Sequence, residues 1–494
     1  MTSRRQPPGG VAPTPARAVA LALLLAAGTA TGLDLEPCEI RGTGGVGLVA
    51  AQCGRLEVAE DPDEPAGRVI ELFVARVPAL AKEPRDDALT VINGGPGASS
   101  VSLYVDMKAA FSGIRRNRDI VVVDQRGTGR SAPLDCPEMQ IMGAAPAPGE
   151  LGRATRQCLE ATEQDPRFYT TSFAVDDLER VREALGYAAW NLYGVSYGTR
   201  VAQEYLRRYP ASVRTAILDG VVPPDQALGP DLAVNAQATL DALLARCAGD
   251  TACAAAFPDL EAQFRRLARR LEASPVALTL PHPVTARRRS MKLSYGHLAL
   301  TVRMSSYAPE TAALIPVMIR EAVEHDNFRP IASQALRLEH ELAETMAFGM
   351  HNSVVCSEDV PFYPEPEVLR GTLRETYLGA AQVEALRAIC RVWPRGRREP
   401  AARAPLRAEH PVLLLSGEHD PITPPAYARR AAQTLPNSRH LLAPGQGHGV
   451  VGRGCMPWLV SGFVGTADPA GLDPTCLERL DSDAFFVDLM GPPP

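Results

Sequence analysis

The chain has 494 residues, 46% of them hydrophobic and 22% charged, with a formal net charge of −6. That length predicts about two to three domains, and the balance is ordinary for a globular protein. Its arginines are scattered, as in Arg265-Arg266 and Arg287-Arg288-Arg289, so charge gives no footprint for nucleic acid or for an anionic membrane.

Arg4, Arg5 and Arg17 precede an apolar run from Ala18 to Ala27 and small residues through Gly32. That is the pattern of a secretory signal peptide over residues 1–32. The run is too short to span a bilayer, so the expectation is an exported protein, periplasmic or extracellular, free of the membrane after cleavage. Ten cysteines support export: Cys38, Cys53, Cys136, Cys158, Cys247, Cys253, Cys356, Cys390, Cys455 and Cys476. They fall into five sequence-local couples without a C-x-x-C pair, which speaks against zinc and thioredoxin-like chemistry. In an oxidising compartment nearest neighbours are expected to form disulfides.

Gly42-Thr-Gly44-Gly45-Val-Gly47 has G-x-G-x-x-G spacing, but it reads with no strand before it, so no dinucleotide site is expected there. Val69 to Val77 reads as a strand, and Ala88 to Ile92 and Asp119 to Asp124 as short buried ones. Phe173 to Leu185 has helical periodicity. Trp190 to Tyr193 and Thr215 to Leu218 continue the strands, and Pro411 to Leu415 and Ser438 to Leu442 resume them late in the chain. Between them, Leu232 to Cys247, Leu260 to Leu271 and Pro309 to His325 read as helices. The predicted class is therefore α/β: a sheet core from residues 33–222 and 406–494, with a mainly helical cap over 223–405.

Chemistry enters at Gly194-Val195-Ser196-Tyr197-Gly198, a G-x-S-x-G pentapeptide between a strand and a helical segment, Thr199 to Tyr209. That context defines a nucleophile elbow, which exposes the serine hydroxyl at a helix N-terminus. A serine nucleophile needs a base, and the base an orienting acid, in the chain order Ser, acid, His. Asp420 follows a buried strand and precedes Pro421. His448 lies between Gly447 and Gly449 just after the last strand. Ser196, Asp420 and His448 are the predicted catalytic residues, with Glu418 and His419 the local rivals. The remaining histidines (His282, His297, His325, His340, His351, His410 and His440) read as surface or core residues. His340-Glu-Leu-Ala-Glu344 lacks the second histidine of a zinc-protease helix, so neither a metal nor any other cofactor is expected. The oxyanion needs two N–H donors: Tyr197, after the nucleophile, and Gly95, with Gly94 second, in Asn93-Gly94-Gly95-Pro96-Gly97.

Asn93 to Gly97, Asp124-Gln-Arg-Gly-Thr-Gly-Arg-Ser131, Gly194 to Gly198, Ser416 to Asp420 and Gly447-His448-Gly449 together resemble the α/β-hydrolase peptidases of the prolyl and tripeptidyl aminopeptidase family. Asn93 stands where that family usually has histidine, which tilts the resemblance toward secreted tripeptidyl-type members. The resemblance implies an α/β-hydrolase sheet with a cap. It also implies peptide substrates and release of an N-terminal residue or tripeptide through an acyl-enzyme. Asp124 and Arg126 are expected to brace the strand end, and Ser131 lacks an elbow. An aminopeptidase must recognise a free ammonium, and the family uses cap acids for this. Glu358, with Asp359 behind it, beside Cys356, is the candidate in this chain. A carboxylesterase of the same fold is the alternative.

Overall fold

The computed structural model describes residues 1–5, 9–10, 32–140 and 148–492. The apolar run Ala18 to Ala27, on which the signal-peptide expectation rests, lies outside them. Eleven strands occur among the described residues: β1 (Glu36–Arg41), β2 (Leu48–Ala59), β3 (Val69–Val77), β4 (Asp87–Ile92), β5 (Ile120–Val123), β6 (Ala189–Val195), β7 (Val213–Asp219), β8 (Val276–Pro281), β9 (Arg288–Leu293), β10 (Val412–Gly417) and β11 (Ser438–Ala443). Nine form one sheet in the order β1-β2-β3-β5-β4-β6-β7-β10-β11. β1, β2 and β3 are antiparallel to their neighbours, and every pairing from β5 to β11 is parallel.

The parallel strands are covered on both faces, so β4, β5 and β10 are buried along their whole length and are mainly apolar, interrupted by Asp87 and Thr90 in β4 and by Ser416 in β10. Alternation divides each strand between two cores. Val121, Val123, Leu192 and Leu414 face one core with Val201 and Tyr205 of the helix Tyr197–Arg208. Ile120, Val122, Tyr193 and Leu415 face the other with Tyr104, Phe111 and Phe463.

β1 and β2 have no clear signature in the sequence. They lie at the antiparallel edge, and the 12-residue β2 leaves much of its length exposed or half-buried, so beyond Leu48-Val-Ala-Ala51 its sequence is mixed. The expectation for Gly42 to Gly47 is corrected in one respect, because a strand does precede that motif. The next element after the glycines is β2, the antiparallel partner of β1. The glycines belong to a hairpin connection, and no helix N-terminus opens there to receive a pyrophosphate.

Between β7 and β10 the chain is mainly helical, including Leu232–Gly249, Leu260–Ala273, Tyr295–Ser305, Ile315–Glu324, Arg329–Thr345, Phe348–Glu358 and Ala381–Cys390. A further core holds several of these helices together around Leu240, Phe264, Leu267, Ile319 and Phe328. This segment also holds the hairpin β8–β9, whose Val276, Leu278 and Leu280 alternate along β8 while β9 is polar and largely exposed. The cysteines pair as nearest neighbours: Cys38–Cys53, Cys136–Cys158, Cys247–Cys253, Cys356–Cys390 and Cys455–Cys476. Among the described residues no helix is long and apolar enough to cross a membrane.

Candidate active site

β6 ends at Val195 and the helix Tyr197–Arg208 begins two residues later. Ser196 makes the turn alone, at φ 56° and ψ −125°, a conformation that costs a non-glycine residue about 1–3 kcal/mol. The neighbours hold it there. Ser196 N–H donates to the Asp219 carbonyl at 2.9 Å, and Ser196 carbonyl accepts from Thr199 N at 2.9 Å and Thr199 Oγ1 at 2.6 Å. Gly198 is required by close approach, since a Cβ there would stand 2.3 Å from the Ile92 carbonyl oxygen.

The acid and the histidine meet at the ends of the last two sheet strands. Asp420 Oδ2 accepts from His448 Nδ1 at 2.8 Å and from Thr423 Oγ1 at 2.7 Å. Its Oδ1 accepts from the backbone of Ile422 at 2.9 Å and Thr423 at 2.8 Å. Burial works to raise the Asp420 carboxyl, but the His448 charge and these hydrogen bonds hold it below the usual range. Burial likewise opposes protonation of His448. The Asp420 charge and hydrogen bond, with a contribution from Asp219, outweigh it and leave the imidazole above its ordinary 6.5. With Nδ1 engaged by the acid, Nε2 remains for the serine side of the cleft that Ser196 and His448 both line. Ser196, Asp420 and His448 are thus brought to one place. The rival Glu418 is exposed and accepts from Gly445 N at 2.9 Å instead.

Asn93 is tied into the glycine loop that follows β4. Its Nδ2 donates to the Ser99 carbonyl at 2.8 Å, and its Oδ1 accepts the Gly94 N–H at 2.7 Å. The Gly94 amide is therefore engaged, which leaves Gly95 as the loop's candidate donor opposite Tyr197, whose N–H opens a helix. Gly94 has another duty: a Cβ there would lie 2.7 Å from the Ser196 Cβ. Asp124 braces this loop from behind, accepting from Ser99 Oγ at 2.7 Å and from the backbone of Arg130 at 3.0 Å. Arg126 makes a buried bidentate pair with Asp177 at 2.6 and 2.8 Å. Ser131 is wholly buried, its oxygen taken by Phe73 N at 2.7 Å.

A cleft of about 540 Å³ opens over Ser196, lined mostly by apolar side chains such as Leu103, Met304, Met346 and Phe348. Glu358 and Asp359 are not on its wall, which corrects their expected role as acceptors of a substrate ammonium. Both are buried behind it. Glu358 accepts from Thr171 N and Thr171 Oγ1, each at 2.7 Å, and Asp359 pairs with Arg200 at 2.9 Å. The cleft's one carboxylate among the described residues is Asp231, exposed and bonded to Gln226 Nε2 at 2.8 Å and Tyr427 hydroxyl at 3.0 Å.

Sequence reasoning missed several participants. Asp219 anchors the histidine loop, accepting from the backbone of Val450 and Val451 at 2.9 Å and from Tyr193 hydroxyl at 2.9 Å. Tyr307 packs edge-on against the His448 ring with centroids 5.2 Å apart, and its carbonyl accepts His448 N at 2.8 Å. His351, read as a surface or core residue, lines the cleft with Nδ1 3.2 Å from the Pro96 carbonyl. A carbonyl only accepts, so Nδ1 carries the proton, and burial holds the ring neutral by lowering its pKa. The Asp-Gly pair closing β7 was the one local signal for Asp219; the others had none.

A strained serine at a strand-to-helix turn, a histidine and acid after the last strands and a glycine loop beside them define a serine hydrolase. Residues 87–452 match the family described as alpha/beta hydrolase fold, and the chain belongs to that family. It is 28% identical to the putative hydrolase YuaR of Escherichia coli, across 45% of this chain and 48% of that protein. It is 33% identical to a tripeptidyl aminopeptidase of Streptomyces lividans, across 35% of this chain and 36% of that protein. These two matches span less than half of the relatives' own length. The serine protease Hip1 of Mycobacterium tuberculosis is 25% identical across 85% of this chain and 86% of its own. Among solved structures, a proline iminopeptidase of Mycobacterium smegmatis is similar with a TM-score of 0.38 and 17% identity, covering 85% of this chain and 100% of that one.

Proposed function

We propose that this chain is an exported serine aminopeptidase that works through an acyl-enzyme. The observation that carries the reading is Ser196, held at a strained turn on the floor of an apolar cleft it shares with a His448 already bonded to Asp420. Ser196 Oγ attacks the scissile carbonyl while His448 Nε2 takes its proton and returns it to the leaving amine. Asp420 fixes the tautomer. The amides of Tyr197 and Gly95 receive the developing oxyanion, each contributing about 3 kcal/mol to the transition state. Water then releases the acyl group by the same steps in reverse.

The aminopeptidase part rests on the tripeptidyl aminopeptidase and protease relatives and on the cleft's charge. Asp231 takes over the ammonium from Glu358 and Asp359, because it is the carboxylate that faces the cleft. Residues 223–405 act as a cap carrying that wall. The five disulfides support export, since such bonds persist in oxidising compartments. The test uses prolyl, alanyl and Ala-Ala-Pro 4-nitroanilides, free and N-acetylated. Cleavage confined to free forms supports an aminopeptidase. Equal cleavage of blocked forms, or activity on simple esters alone, leaves a carboxylesterase, which the apolar cleft would also suit. Asp231→Asn is expected to lower kcat/KM on free substrates about 2- to 5-fold, modest because the carboxylate is solvent-screened, and to spare blocked ones.

The pH profile is set by His448. The base must be neutral, and its pKa stands above 6.5, so the acid limb of kcat/KM should fall at a pH above that value. A limb centred below 6.5 would show that the Asp420 contact is not made in solution.

A further inference from the structure

The arginines with the most deeply buried ion pairs sit on carboxylates: Arg118 on Asp87 at 2.7 Å, Arg126 on Asp177 at 2.6 Å and Arg200 on Asp359 at 2.9 Å. Arg303, on the helix Tyr295–Ser305, breaks that pattern. It lines the cleft over Ser196 and is the one guanidinium or ammonium group there among the described residues. Its Nη2 reaches Tyr307 hydroxyl at 3.4 Å, and its Nε is buried with no partner. The groups that interact with its charge are the phenols of Tyr307 and Tyr377 and the His351 ring, with no carboxylate among them. The Tyr377 hydroxyl is itself buried and unpartnered. Asp231, the cleft's acid, is bonded to Gln226 and Tyr427.

A guanidinium set among apolar side chains without an anion is costly to hold. Its planar fork matches a carboxylate. Tyr307 links the two ends of the site, meeting Arg303 through its hydroxyl and the His448 ring through its edge. A group bound by Arg303 therefore sits one aromatic side chain from the proposed base. We propose that Arg303 is a specificity-determining residue that binds a substrate carboxylate, either the side chain of an acidic residue or the terminal carboxylate of a short peptide. This deepens the peptidase reading and rests on it.

The test compares kcat/KM within pairs of substrates that differ by one charge. One arm places Glu or Gln at each acyl position of a free Ala-Ala-Ala 4-nitroanilide. The other compares tetra-alanine with its C-terminal amide. In the wild type the charged member of at least one pair should be favoured by about 10- to 100-fold, the range of a hydrogen bond to a charged group. In Arg303→Gln that ratio should fall to about one, and Arg303→Lys should keep part of it. Wild-type ratios near one in both arms would overturn the proposal, as would a preference that survives in Arg303→Gln.

A separate outcome isolates the reading beneath it. If no peptide is cleaved while a fluorophosphonate still labels Ser196, the peptidase reading fails, and the carboxylate site is then read by protection. N-acetylglutamate should slow labelling of the wild type where N-acetylglutamine does not, and the difference should vanish in Arg303→Gln. Equal protection by both compounds would overturn the carboxylate site as well.

Discussion

Ser196→Ala is expected to lower turnover by roughly 10⁴- to 10⁶-fold, the loss seen when a serine hydrolase is deprived of its nucleophile. No other side chain can take over. All ten cysteines are in disulfides, and the Ser131 hydroxyl is wholly buried and bonded to Phe73 N. The fold should survive, because the turn is held through main-chain atoms of residue 196 that alanine keeps: its N–H on Asp219 and its carbonyl under Thr199. Alanine also inherits the positive φ of 56°, so the strain is unchanged. The thermal midpoint should therefore match the wild type within the range of a neutral substitution, about 0.5 kcal/mol. Anilide hydrolysis and a thermal melt on one preparation check both halves. Activity above about a hundredth of wild type would sink Ser196 as the nucleophile.

The elbow was legible because its requirements are local. A turn that admits no Cβ at position 198 writes a glycine there, and strands buried on both faces write mainly apolar segments, as in β4, β5 and β10. Asp420 and His448 were legible for a related reason: each comes directly after a strand, in a turn rich in glycine or proline. β1 was not, because an edge strand need not be apolar to pair, and neither was β2, which lies next to that edge with much of its length exposed or half-buried.

The charged wall of the site was also hidden. An acid beside a disulfide cysteine has the same local sequence whether it faces a cleft or an arginine. Glu358 faces Thr171 and Arg200, more than 150 positions upstream. Asp219 grips backbone amides 231 and 232 residues away, and Arg303 lines the cleft bonded to a phenol rather than to a carboxylate. Such roles are decided by packing between distant segments, which one sequence does not display. The five disulfides join near neighbours, 6 to 34 residues apart, which agrees with the nearest-neighbour expectation, one of many connectivities that the order of ten cysteines allows.

Asp420→Asn should lower kcat by about 10⁴-fold, as the same change does in another serine hydrolase, with little loss of structure. Asparagine matches the carboxylate in shape, and its oxygen can still accept the Ile422 and Thr423 amides that now reach Oδ1. Its NH₂ then stands where Oδ2 accepts from His448 Nδ1 and Thr423 Oγ1. A donor facing Nδ1 favours the tautomer protonated on Nε2, which cannot take the serine proton. The pH profile should move as well. The Asp420 charge and hydrogen bond are the main influences that outweigh burial at His448. Without them burial dominates, the imidazole pKa drops, and the acid limb of the residual activity shifts to lower pH. Glu418→Gln is the matched control, since Glu418 is exposed and bonded to the Gly445 amide. It should change kcat/KM by no more than about a few-fold. Were Glu418→Gln to cost the larger factor, or the acid limb to stay fixed in Asp420→Asn, the orienting acid would have to be sought elsewhere. A loss confined to Asp420→Asn, with the limb displaced, ties rate and proton affinity to one 2.8 Å contact.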